Sequence, residues 1–116
     1  MGVVYYANYL HWFEQARSHF IRELGMSYAE IEDRGVLLPV REAFCRYRAP
    51  ARFENIVNVR TGIRTMSRAS LTFIYEVYNA SANNRFMTSG YTQHPCMGFN
   101  GRPVAVPDWL IKIVQG

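Results

Sequence analysis

The stretch NYLHWFEQARSHFIRELG, residues 8–25, decides the architecture. Tyr9, Phe13, Ala16, Phe20 and Leu24 recur at helical intervals and make one apolar face, which Leu10, Trp12 and Ile21 widen. His11, Glu14, Gln15, Ser18 and Arg22 fall on the opposite, polar stripe. The spacing predicts a helix from Tyr9 to Leu24, with Asn8 as its N-cap and Gly25 as the residue that ends it. An apolar face this broad and aromatic needs a sheet wrapped around it.

Downstream, Ser27 and Glu30 have the spacing of a capping box, and Gly35 stops the short helix they open. The period then changes from helical to alternating. Residues 36–48 read as a strand, with Pro39 at a bulge or an edge. Val57, Val59, Thr61, Ile63 and Thr65 alternate with Asn58, Arg60, Gly62 and Arg64, a strand with one wet face. A turn at 67–69 leads to a strand in which Leu71, Phe73, Tyr75 and Val77 alternate with Thr72, Ile74, Glu76 and Tyr78. A turn-rich loop, 79–84, precedes a last strand over 85–94, where Gly90 marks a bend or a close approach. Pro107 opens a final short helix that packs Trp109, Leu110 and Ile113. One long helix followed by consecutive antiparallel strands is an α+β arrangement, a helix wrapped by a curved antiparallel sheet.

The chain has 116 residues with 49% hydrophobic and 15% aromatic content, enough for one domain, 1–116, with a real core. No apolar run is long enough to span a membrane, and the first residues lack the pattern of a signal peptide. Cys45 and Cys96 stand far apart without metal-type spacing, so both read as buried small hydrophobes in a reducing cytoplasm. Arg supplies 12 of the 13 basic residues of a chain with net charge +4. Such a surface suits the phosphates and adenine of a coenzyme, or nucleic acid, or is merely solvated. Nucleic acid is disfavoured because the aromatics fall at core spacings rather than along one exposed strand face.

The residues Gly2 to Arg17, G-V-V-Y-Y-A-N-Y-L-x-W-F-E-x-A-R, followed by L-G-M-S-Y at 24–28, Y-R-A-P-A-R-F at 47–53, S-R-A-S-L-T-F-x-Y-E at 67–76 and G-Y-T-Q-H at 90–94, resemble the hotdog-fold thioesterases. The similarity is closest to the 4-hydroxybenzoyl-CoA thioesterase and Tol-Pal-associated acyl-CoA thioesterase branch. It covers essentially the whole chain, apart from the family's first strand.

The resemblance implies an acyl-CoA or aryl-CoA hydrolase that needs no metal and no cofactor beyond the CoA of its substrate. It implies a homodimer or homotetramer in which two subunits pair their sheets and build active sites at the interface. It also implies that backbone amides at the start of the long helix, here Tyr6 and Ala7, hold the oxyanion. The family's catalytic Asp stands three residues before the glycine matching Gly2, a position upstream of Met1. Within the chain, Glu14 lies at the helix depth from which a second hotdog branch draws its base or nucleophile. Its other reading is structural, bonding to Arg17, to Ser18 or across the subunit interface. Asn8 is first a cap and second a pocket residue. Arg64, Ser67, Arg68 and Arg102 are candidate clamps for CoA phosphates. His94, at a strand end, reads as a satisfied packing residue, and His11 and His19 as helix surface. The alternative to an enzyme is a non-catalytic hotdog module that binds acyl-CoA.

Overall fold

The computed structural model describes residues 6–48 and 56–115. In chain order the elements are α1 (Tyr6–Glu23), α2 (Tyr28–Asp33), β1 (Glu42–Tyr47), β2 (Val57–Met66), β3 (Ser70–Asn79), β4 (Arg85–Pro95) and α3 (Asp108–Gln115), with a 3-10 turn at Ala80–Ala82. The four strands form one sheet in the order β1-β4-β3-β2, antiparallel throughout. Bulges at Ile63/Thr65 and Val77/Tyr78 bend the strands that carry them.

α1 ends where the glycine dictates. Gly25 has φ +109°, and the amides of Gly25 and Met26 bond back to the carbonyls of Arg22 and Ile21. That is the Schellman pattern, and it buries Met26 beneath the helix end. The same device closes α2. Gly35 has φ +90° and bonds to Glu32, while Val36 bonds to Ile31. The capping box forms as expected, with Ser27 accepting from the Glu30 amide and the Glu30 side chain receiving the Ser27 amide.

α1 lies across one face of the sheet. Tyr9, Phe13 and Ile21 are buried, and they meet Leu71, Phe73, Tyr75 and Val77, the inward set of β3. Phe13 stacks on Tyr75 with ring centroids 4.3 Å apart. Gly90 of β4 makes this stacking possible, because a Cβ there would stand 2.6 Å from the Phe13 ring. The expected close approach at Gly90 is thus a helix-to-sheet contact. α3 adds Leu110 to the same core, and Arg34 lies over its Trp109 ring at 4.8 Å.

Three sequence expectations need correction. Asn8 is not the N-cap, since α1 is already helical at Tyr6 and Asn8 sits half-buried in its first turn. Residues 36–48 are not one continuous strand. Leu37 bridges to Met97, the chain runs exposed through Pro39 and Val40, and β1 begins only at Glu42. Pro39 has no N–H to give a ladder, so pairing lapses around it. The aromatics are not all at core positions either. Phe44 and Tyr91 stack at 5.5 Å on the sheet face opposite α1, where Phe44 remains exposed.

Candidate functional site

The first half of α1 and the adjoining strands enclose a cleft of about 340 Å3. Leu10, His11, Glu14 and Arg17 line it from the helix, Ala43 from β1, Thr92 from β4, and Val40 from the segment leading into β1. Glu14 is exposed and is the carboxylate that the described residues bring to this cleft. The walls supplied by Leu10, Val40 and Ala43 are apolar, which suits a hydrocarbon or aryl group beside a polar floor.

That floor is a hydrogen-bond chain running from the helix into the sheet. Arg17 is 8% exposed, and its Nη1 donates to the Tyr75 hydroxyl at 3.0 Å and, more weakly, to Thr92 Oγ1 at 3.4 Å. Tyr75 and Thr92 hydroxyls lie 2.6 Å apart, Thr92 Oγ1 lies 2.7 Å from His94 Nε2, and His94 Nδ1 lies 3.0 Å from the Leu38 carbonyl. With the imidazole of His94 neutral, the two ends fix the protons between them. A guanidinium only donates and a carbonyl only accepts. Tyr75 therefore accepts from Arg17 and donates to Thr92. Thr92 donates to His94 Nε2, and the Nδ1–H of His94 donates to Leu38.

Burial is what keeps the imidazole of His94 neutral. Burial pushes it down to about 4, the Leu38 carbonyl pulls the other way, and the Arg17 charge adds to the depression. His94 is completely buried with both ring nitrogens bonded, the packing role expected of it. Burial likewise pushes the Tyr28 phenol up to about 12, against the pull of Arg17, which lies over the Tyr28 ring at 5.9 Å.

These shifts have a consequence for stability. The folded pKa of His94 lies below its unfolded value, so the unfolded chain binds more protons between about pH 6.5 and pH 4. The contribution is complete above pH 6.5 and is lost as pH falls through 4, to a depth on the order of 3 kcal/mol. Urea unfolding at stepped pH should show this slope in the native protein and a flatter profile in His94→Gln. Equal slopes would remove His94 from the account.

The other residues singled out from the sequence lie elsewhere. Tyr6 and Ala7 form the first described turn of α1, and their side chains lie outside what is described. Arg64 is exposed at the bulged end of β2 and lies 6.0 Å over Tyr91, on the sheet face away from α1. It lines a second hollow of about 370 Å3 with Phe44, Arg46, Ile74 and Tyr91. Ser67 and Arg68 sit in the exposed β2–β3 turn, where Ser67 Oγ lies 2.7 Å from Ser70 Oγ and the Arg68 carbonyl accepts from Val106. Within one protomer the sheet thus separates Arg64 from Glu14. Arg102 is exposed in its own turn, and His19 pairs with Glu23 at 3.3 Å on the helix surface. Cys96 is buried as expected, Cys45 only half so, and both are free. Among the described residues no cluster of His, Cys, Asp and Glu could hold a metal. No described helix is long and apolar enough to cross a membrane.

Arg17 and Tyr28 escaped the sequence reading. The signal was present: Arg17 stands four residues after Phe13 and four before Ile21, inside the apolar stripe. A charge at a core-facing helical position needs partners on the element packed against it.

Comparison with known proteins places this geometry. Residues 1–114 match the family described as the thioesterase-like superfamily. The acyl-CoA thioester hydrolase YbgC of Escherichia coli O6:H1 is 34% identical over 79 residues, 68% of this chain and 59% of that protein. Among solved structures, the DHNA-CoA thioesterase of Staphylococcus aureus superposes with a TM-score of 0.87 at 33% identity, over 99% of this chain and 80% of that one. A hypothetical protein of Thermus thermophilus, TT1821, superposes with a TM-score of 0.90 at 34% identity, over 99% and 86%. The helix laid on a four-stranded antiparallel sheet is the hotdog fold, and the chain belongs to the thioesterase-like superfamily of thioester hydrolases.

Proposed function

We propose that this thioesterase hydrolyses acyl-CoA esters, aryl-CoA esters among them, in the cleft between α1 and β1. The observation that carries the reading is the placement of one carboxylate, Glu14, in an apolar-walled cleft along the middle of α1. The first-turn amides of Tyr6 and Ala7 receive the oxyanion that develops on the thioester carbonyl, where the helix dipole adds to the donors. Glu14 takes a proton from the attacking water as general base, or attacks the carbonyl itself as nucleophile. The tetrahedral adduct then expels the CoA thiolate, which leaves the free acid on the general-base route and, on the nucleophilic route, a mixed anhydride on Glu14 that a water hydrolyses to the free acid. Asn8, half-buried one residue beyond the amides, is a further candidate for contact with the substrate. No metal and no cofactor other than the substrate's own CoA enters this scheme.

The CoA phosphates fall to exposed polar side chains on this reading, with Arg64, Ser67 and Arg68 as the candidates. Since Arg64 lies across the sheet from Glu14, a homodimer or homotetramer that completes each site from a second subunit accommodates both sets. The exposed Phe44 and Ile74 on that outer face support such an assembly. Two free cysteines favour a reducing, cytoplasmic setting. Nucleic acid has no part in this reading.

The test is turnover. Purified protein given benzoyl-CoA, 4-hydroxybenzoyl-CoA and hexanoyl-CoA should release free CoA thiol, read with a thiol reagent. Absence of release from aryl and aliphatic esters alike would defeat the reading.

A further inference from the structure

Among the described residues Arg17 is a buried cation that forms no ion pair, although the Glu14 carboxylate lines the same cleft. Its Nη1 is spent on two neutral hydroxyls, and its buried Nε has no hydrogen-bond partner among the described residues. The Tyr28 hydroxyl is also buried, and its chief charged neighbour is Arg17 itself. The ion pair formed among the described residues joins His19 to Glu23, far along the helix surface. An isolated buried charge is costly, and natural proteins leave one only where something pairs with it. Arg17 also lines the cleft that holds Glu14, with Val40 and Ala43 as apolar neighbours.

We propose that this cleft contains a carboxylate subsite in which Arg17 receives the carboxylate of the ligand. The chain through Tyr75, Thr92 and His94 occupies one edge of the guanidinium and holds its plane, so the remaining N–H groups are preorganised for an anion. The proposal rests on the thioesterase reading only for the origin of that carboxylate. It is either the free acid released by hydrolysis or a carboxylate at the far end of the acyl chain.

Binding can be read without turnover. Hexanoate at tenfold over its Kd should raise the Tm of the native protein by about 5 °C. Hexanamide, which has the same chain and no charge, should not raise it, and neither should chloride at equal ionic strength. Arg17→Met should weaken hexanoate binding by about 10- to 100-fold in calorimetry, the loss expected for a charge-assisted pair. If that variant does not fold, Arg17→Lys, which keeps charge without the fork, should show a smaller loss, and the acid–amide comparison in the native protein stands by itself. Equal shifts from hexanoate and hexanamide, or undiminished hexanoate binding in Arg17→Met, would overturn the subsite.

The two sources separate kinetically. A kcat/KM for glutaryl-CoA at least about tenfold above that for pentanoyl-CoA, reduced toward equality by Arg17→Lys, assigns the subsite to the acyl terminus. Equal values with competitive inhibition by hexanoate assign it to the product. Turnover without carboxylate binding sinks the subsite and leaves the hydrolase. Carboxylate binding without any turnover does the reverse.

Discussion

Glu14→Gln is expected to lower kcat for acyl-CoA hydrolysis by about 100-fold or more while leaving KM within a few fold. General-base help is worth roughly 100- to 10,000-fold, or about 3–5 kcal/mol of barrier. The substitution keeps the shape of the side chain and replaces the basic carboxylate with an amide too weakly basic to take the proton. Because Glu14 is exposed, its replacement should leave stability unchanged to within about 0.5 kcal/mol. A fall in rate is then chemical and not structural. Steady-state assays paired with urea unfolding of the same preparation make the distinction. A rate within a few fold of the native value would remove Glu14 from the mechanism and assign the carboxylate's work to a residue outside the described segments. In that case Glu14 keeps only the structural reading.

How much of this was open to a reader of the sequence follows from what kind of signal each residue gives. Phe13, Tyr75 and Leu71 announced their faces through periodicity, because a helix or a strand half-buried against another layer has to repeat. Gly25 and Gly35 announced chain reversals through chirality, and both have the positive φ that only glycine adopts freely. Gly90 was legible as a close approach, though not what approached. Other features carry no local signature. Asn8 is a good cap in any peptide, yet the helix extends past it to Tyr6, so a favourable side chain there is put to a different use. Pro39 signalled an interruption of the 36–48 strand, but where pairing with β4 resumes, at Glu42 opposite Gln93, depends on residues some fifty positions away. The Arg17 chain joins four residues spread from 17 to 94, and only the packed sheet brings them within bonding distance. Periodicity identifies Arg17 as misplaced, but the identity of its partners is a property of the fold.

The steric demand at Gly90 gives the most severe test of the fold. Gly90→Ala is expected to destabilise the protein by about 3 kcal/mol or more, the upper end for overpacking. The new methyl would stand 2.6 Å and 2.8 Å from two carbons of the Phe13 ring, and closer still to the Phe44 carbonyl oxygen. Neither neighbour gives way easily. The carbonyl belongs to the β1 backbone, which is paired with β4 at Cys45 opposite Gly90. The ring is fixed by its stack on Tyr75, with planes 7° apart. Phe13→Ala alone should cost about 3–5 kcal/mol, since the ring is fully buried. The double variant should cost less than the two together, by at least about 1 kcal/mol, because removing the ring gives the methyl somewhere to go. Strict additivity in urea unfolding would mean that α1 does not rest on Gly90. The same contact holds the first half of α1 against β1 and β4, so it sets the width of the cleft between Glu14 and Ala43. A chain that survives Gly90→Ala by lifting its helix should therefore lose turnover out of proportion to its lost stability. A variant destabilised yet fully active below its Tm would show that the cleft does not depend on this packing.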